Sequence, residues 1–226
     1  MSGGEAKDGR SGATTIYFYS TITDALSRSF NNEMVAIFDV DSPVVRIYNS
    51  KMECVNKIVV RKGHVKCCEW LGSVGQYAVS STDLSIGFYD GHTCQFVRSF
   101  RTPSQNTTVL RWIESQEELY SGDTKGHIKA WDCKGKGFGE EIHELGIGYA
   151  TATDGAASAS SRKGLHRDIV LDIIELEGLD IVASACLDRT IKLWDLGTGK
   201  LRRTLQGHSK GVKQITYSSE YRFLIR

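Results

Sequence analysis

The chain has 226 residues, with 28 Lys+Arg against 27 Asp+Glu, a formal charge of +1 and 40% hydrophobic residues. So even a balance excludes a strongly basic nucleic-acid binder or an acidic tail protein, and a charge-driven partner would need a local patch. The apolar content suits a globular core, and the length fits one or two domains. Residues 1–13 are Gly/Ser-rich with mixed charge and lack the apolar core of a signal peptide, so a disordered tail is expected. No apolar run approaches the roughly 20 residues of a membrane helix. An intracellular, most simply cytoplasmic, location follows as the expectation. Residues 14–20 are strand-like and are taken as part of the folded region, 14–226.

From residue 34 the chain divides into short apolar runs separated by turn residues. The runs lie at 34–38, 65–70, 77–80, 94–100, 119–121, 181–185 and 200–205. Between them, four segments share one frame: Ser42-Pro-Val-Val-Arg-Ile-Tyr-Asn49, Asp83-Leu-Ser-Ile-Gly-Phe-Tyr-Asp90, Lys125-Gly-His-Ile-Lys-Ala-Trp-Asp132 and Asp188-Arg-Thr-Ile-Lys-Leu-Trp-Asp195. Each is a turn residue, alternating apolar positions, an aromatic, and a closing Asp or Asn. Alternation with period two predicts a half-buried strand. The closing residues are 41, 42 and 63 positions apart, one period twice and then one period plus about 21 residues. The extra residues follow Asp132. Another strand is expected near 140–145, and 148–164, rich in Gly, Ala, Ser and Thr, is expected to be a flexible surface loop offering Ser158, Ser160 and Ser161 for modification. Residues 217–226 begin a fifth unit.

Four short strands per period of about 42 residues describe one propeller blade. The pattern resembles the WD-repeat family of β-propellers. The best match is 181–208, with Trp194-Asp195, the Leu-Gly-Thr-Gly turn at 196–199 and Gly207-His208. The expected fold is therefore all-β: a WD-repeat propeller of four to five four-stranded blades. At 226 residues it is expected to be an incomplete ring or part of a larger, about seven-bladed one.

The resemblance implies a hydrogen-bonded structural tetrad in the fourth unit, His166, Ser184, Asp188 and Trp194. Partial sets are implied elsewhere, with Asp83 in the second unit and Ser121 and Trp131 in the third. Lys125 stands where the third unit's turn Asp is expected, with Asp123 nearby. A His/Ser/Asp grouping also suggests a catalytic triad, but one packed under a tryptophan has no free hydroxyl beside an oxyanion hole. No enzyme activity and no cofactor are expected.

The family implies a non-catalytic scaffold for protein–protein interaction, docking proteins or peptides on the turns of one rim. Candidate rim residues are Thr82, Thr124, Leu187 and Arg189. An alternative is phosphoinositide or membrane-surface binding through Arg202 and Arg203, although Thr204 follows where lipid-binding propellers carry glycine. A minor alternative is a ubiquitin-ligase substrate receptor. Trp131-Asp132-Cys133-Lys134 approaches the Trp-Asp-x-Arg pattern of such receptors, but lysine lacks the planar fork of arginine.

Other motifs are discounted. The six cysteines contain no C-x-x-C, and a metal held by His64, Cys67 and Cys68 fails because adjacent strand residues face opposite sides. Gly135-Lys136-Gly137-Phe138-Gly139 lacks both P-loop spacing and a following helix. The sequon Asn106-Thr107-Thr108 is idle without export.

Overall fold

The computed structural model describes residues 35–38, 42–49, 51–102, 106–146, 165–218, 220–221 and 223–225. The expected tail at 1–13, the strand at 14–20, the whole 148–164 loop with Ser158, Ser160 and Ser161, and residue 226 fall outside them. The strands run, in chain order, β1 (Val35–Phe38), β2 (Val44–Tyr48), β3 (Cys54–Val59), β4 (Val65–Leu71), β5 (Gln76–Ser81), β6 (Ser85–Asp90), β7 (Phe96–Arg101), β8 (Thr107–Ile113), β9 (Glu118–Asp123), β10 (Ile128–Trp131), β11 (Glu141–Glu144), β12 (Val170–Leu176), β13 (Ile181–Cys186), β14 (Ile191–Asp195), β15 (Leu201–Leu205), β16 (Thr216–Ser218) and β17 (Phe223–Ile225). Helix among the described residues is confined to a 3-10 turn at Gly135–Gly137.

β4–β7, β8–β11 and β12–β15 are three complete antiparallel meanders, each pairing its strands in sequence order. β1–β3 form a three-stranded sheet and β16–β17 a two-stranded one. Because β2 closes on Tyr48, as β6, β10 and β14 carry Tyr89, Trp131 and Trp194, β1–β3 supply the second to fourth strands of the first blade. The fold is thus all-β and propeller-like. A bulge recurs at each of those aromatics in the third-to-fourth strand ladder: Ile47/Tyr48, Phe88/Tyr89, Ala130/Trp131 and Leu193/Trp194. Such a bulge bends the outer strand and increases its twist.

The core lies between the sheets. Phe38, Ile47 and Ile58 of the first sheet cluster with Trp70 and Tyr77 of the second. Ile86 and Phe88 meet Leu110, Trp112 and Trp131. Val109, Ile113 and Tyr120 meet Val170, Val182 and Trp194. Ala183 and Ile191 meet Val212 and Ile215. A single blade therefore cannot cover its own apolar faces, and stacking neighbours supplies the cover.

The hairpins between second and third strands, and the crossings that bring in each new first strand, lie at one end of the sheets, here termed the upper rim. The other hairpins form the lower rim. There the closing Asp or Asn of each repeat caps a turn. Asp90 Oδ1 accepts from the His92 and Thr93 backbone N–H groups at 3.1 and 2.8 Å, and Asp195 Oδ1 from Thr198 N–H at 2.8 Å. Asn49 Oδ1 accepts from Lys51 and Glu53 N–H, both at 3.0 Å, and Asp132 Oδ1 from Lys134 N–H at 2.6 Å. This is the short-range bonding that makes Asp and Asn good turn residues.

Candidate functional site

In the fourth blade one polar chain crosses the sheet from core to rim. Trp194 Nε1–H donates to Ser184 Oγ at 2.8 Å. Ser184 Oγ lies 2.7 Å from His166 Nε2, and His166 Nδ1 lies 2.9 Å from Asp188 Oδ2. With a neutral imidazole the directions are fixed: Ser184 donates to Nε2, and Nδ1–H donates to Asp188. Asp188 Oδ1 also accepts from the Thr190 N–H and hydroxyl at 3.0 and 2.6 Å, and Oδ2 from Arg167 N–H at 3.0 Å. All four residues are thereby brought together. Ser184 is fully buried, its proton and lone pairs engaged within the sheet. It is placed as a linking hydroxyl rather than a nucleophile.

Burial depresses the His166 pKa, opposed by its Asp188 contact. Burial alone would raise the Asp188 pKa, but the Thr190 hydroxyl, Arg167 N–H and His166 hold it well below the usual carboxylate range. Cys186 Sγ also lies close to the His166 nitrogens and Asp188 oxygens. The trio does not suit a cation: burial pushes the Cys186 thiol up to about 12, and both imidazole nitrogens are already engaged. His64, Cys67 and Cys68 are no better placed. His64 is exposed, while Cys67 and Cys68 are buried in different interblade clusters.

The other blades keep fragments of this chain. Trp131 Nε1–H donates to Ser121 Oγ at 2.8 Å. Asp123, not the residue at 125, takes the capping role, with Oδ1 accepting from Lys125 and His127 N–H at 2.7 and 3.0 Å. Asp83 turns back on its own hairpin, accepting from the Ser81 hydroxyl and from Ser85 N–H and Oγ–H at 3.1 and 2.6 Å.

The upper-rim residues occupy repeating positions. The N–H groups of Thr82, Thr124 and Leu187 donate to the carbonyls of His64, Asn106 and Ile169 in the incoming crossings, at 2.9, 3.2 and 3.0 Å. Thr82 is exposed, and Thr124 and Leu187 are half-buried. Arg189 is exposed at φ +69°, matched by Leu84 at +65° and Gly126 at +88° in the preceding blades. At Gly126 a side chain is excluded, since a Cβ would lie 2.4 Å from the His166 carbonyl oxygen. This close approach ties the third blade's turn to the fourth blade's entry.

Arg202 and Arg203 are adjacent and exposed on β15. Arg202 is held by Asp195, its Nε donating to Oδ2 at 2.8 Å. Lys134 pairs with Glu117 on the lower rim.

A second polar group escaped sequence reasoning. Arg111 on β8 bridges neighbouring first strands, with Nη1 3.6 Å from Glu69 Oε1 on β4 and Nη2 3.4 Å from Asp172 Oδ1 on β12. Its Nε–H donates to Ile173 O at 2.7 Å. Glu69 Oε1 also accepts from Trp112 N–H at 3.1 Å, and Asp172 Oδ2 from Ile215 N–H at 2.9 Å. This network spans from the second blade to the start of the fifth. Its sequence signal was a charge among the apolar residues of each first strand: Glu69 in VKCCEWL, Arg111 in TTVLRWI and Asp172 in VLDIIEL.

Burial raises the Glu69 pKa to about 7 and that of Asp172 above its usual value, with Arg111 opposing both. Glu69's relative stabilisation is therefore complete below about 4.5 and lost as pH rises through about 7. His166 and Asp188, depressed, contribute the reverse: stability present at neutral pH and lost on acidification. Urea unfolding across pH 4.5–7.5 is expected to show the Glu69→Gln variant gaining stability relative to wild type as pH rises. A pH-independent difference between the two would refute this ionisation account.

The profile described as "WD domain, G-beta repeat" matches residues 166–195, the stretch holding the complete polar chain. The chain is 26% identical over 129 residues to cilia- and flagella-associated protein 337 B of Tetrahymena thermophila, covering 55% of this chain and 10% of that protein. It is 22% identical over 198 residues to a WD repeat-containing protein of Schizosaccharomyces pombe, covering 75% of this chain and 53% of that one. The chain thus spans about half the length of the second relative and a tenth of the first. A chain in a crystal structure of the mitotic checkpoint complex superposes with a TM-score of 0.65 at 17% identity, covering 81% of this chain and 51% of that one.

Proposed function

We propose, from the premise that this chain belongs to the WD-repeat β-propeller family, that it is a non-catalytic scaffold holding other proteins within an assembly. One contrast carries the reading. The His/Ser/Asp set is satisfied inside the sheet, whereas the upper-rim turns present exposed side chains on a rigid repeating frame. Docking on such a frame needs no reacting group. Its proposed setting is the cytoplasm, which accords with six free cysteines, five of them buried. No helix among the described residues is long and apolar enough to cross a membrane.

The test is affinity capture with the full-length gene product, followed by reconstitution of each recovered pair from purified components. A defined complex that survives gel filtration is expected, and it should be lost when Trp194→Ala disrupts the fourth blade. Recovery of the chain alone, or of partners that fail to reconstitute, would count against a scaffold.

A further inference from the structure

The near-zero net charge conceals a separation of charge between the two rims. On the upper rim, Lys62, Arg101, Lys125, Arg167, Arg189 and Lys210 are exposed. They sit at successive turns and crossings from the entry of the second blade to the entry of the fifth. Among the described residues, none of the six closes an ion pair. The carboxylates beside them are hydrogen-bonded to other groups: Asp83 to Ser81 and Ser85, with Arg101 near enough to help hold its pKa down, Asp123 to two backbone N–H groups, and Asp188 to His166, Arg167 N–H and Thr190. Among the described residues, Asp168 is the exposed acid on this rim, and its Oδ1 accepts from Ile169 N–H at 2.8 Å.

The lower rim is the converse. Glu53, Glu114, Glu117, Glu177 and Asp180 are exposed; of the cations there, Lys134 and Arg202 are paired with Glu117 and Asp195, while Lys51 and Lys200 are exposed and outnumbered by the acids.

We infer that the upper rim is a docking surface for an acidic peptide segment, its carboxylates meeting cations on successive blade turns. This rests on the scaffold reading and names the chemistry of its partner. The cations come one or two to a blade and are separated by uncharged Thr82, Thr124 and the half-buried Leu187. That spacing suits side chains along an extended peptide better than the dense, regular charge of a nucleic-acid backbone. The acidic opposite rim and the +1 net charge weaken any long-range pull on a polyanion while leaving the local field intact.

Fluorescence anisotropy with the full chain tests the inference. The probes are a labelled 14-residue peptide of alternating Glu and Ser, its Lys/Ser counterpart, and a single-stranded oligonucleotide of matching length. The acidic peptide is expected to bind and the Lys peptide not. Raising salt from 50 to 200 mM should weaken binding several-fold, since exposed charge contacts are screened. Lys125→Glu combined with Arg189→Glu should weaken it about tenfold or more, with an unchanged circular-dichroism melt, while lower-rim Lys200→Glu leaves it unaltered.

No binding of the acidic peptide, equal binding by the charge-reversed variant, or tighter binding of the oligonucleotide at equal salt would each overturn the inference. Reconstitution with the partners recovered in the capture experiment separates the two readings. Partners retained by the charge-reversed variant leave the scaffold standing and remove only its acidic ligand. Partners that reconstitute with neither protein remove the scaffold itself.

Discussion

Trp194→Ala is expected to destabilise the protein by about 3–5 kcal/mol, the range for removing a large buried aromatic. Trp194 is 1% exposed and packs among Ile113, Tyr120, Val170 and Val182 at the interface of the third and fourth blades. Its edge meets the His166 ring, with centroids 6.2 Å apart. The substitution opens a cavity between blades and removes the donor to Ser184. Trp194→Phe separates those effects by retaining most of the volume while deleting the indole N–H, so a smaller loss of about 1–2 kcal/mol is expected. Urea unfolding followed by circular dichroism measures both. Equal costs for the two variants would show that the hydrogen bond, rather than packing, dominates this position.

Arg111→Ala is expected to cost about 3–5 kcal/mol at neutral pH, because it leaves Glu69 and Asp172 buried without their shared cation. The penalty should shrink on acidification, since the carboxyls lose their charge and no longer need the guanidinium. The direction agrees with the raised pKa of both acids. Glu69→Gln introduced beside Arg111→Ala should recover part of the loss, a coupling measurable as a double-mutant cycle. Additive costs, unchanged between pH 5 and 7.5, would mean that Arg111 contributes packing alone. Because the three residues lie on first strands of three different blades, the variant is also expected to loosen interblade contacts before it melts any one sheet. Hydrogen exchange on β4, β8 and β12 reports this separately from global unfolding.

The repeat frame was legible because each blade writes its strands and turns locally. Alternation gave β2, β6, β10 and β14 their faces, and the closing Asp or Asn announced a capped turn. The complete polar chain was legible in the fourth blade, where all four residue types stand in frame. In the third blade the capping acid is two residues earlier than the frame suggested. From there Asp123 still reaches the same hairpin N–H, His127, that the in-frame acids of the other blades reach at Ser85 and Thr190.

Less legible were groups whose partners come from other periods. Glu69, Arg111 and Asp172 are 42 and 61 residues apart, and nothing local distinguishes a charge aimed at a neighbouring blade from one aimed at water. The charge separation between rims was hidden for a related reason. Net charge sums over the chain, whereas a field depends on which charges are already neutralised by internal partners. Local sequence therefore determined the strands, the turns and the family frame through short-range periodicity and capping. Tertiary structure alone decided which polar groups are spent between blades and which remain exposed on a rim, because burial and pairing depend on neighbours a full repeat away.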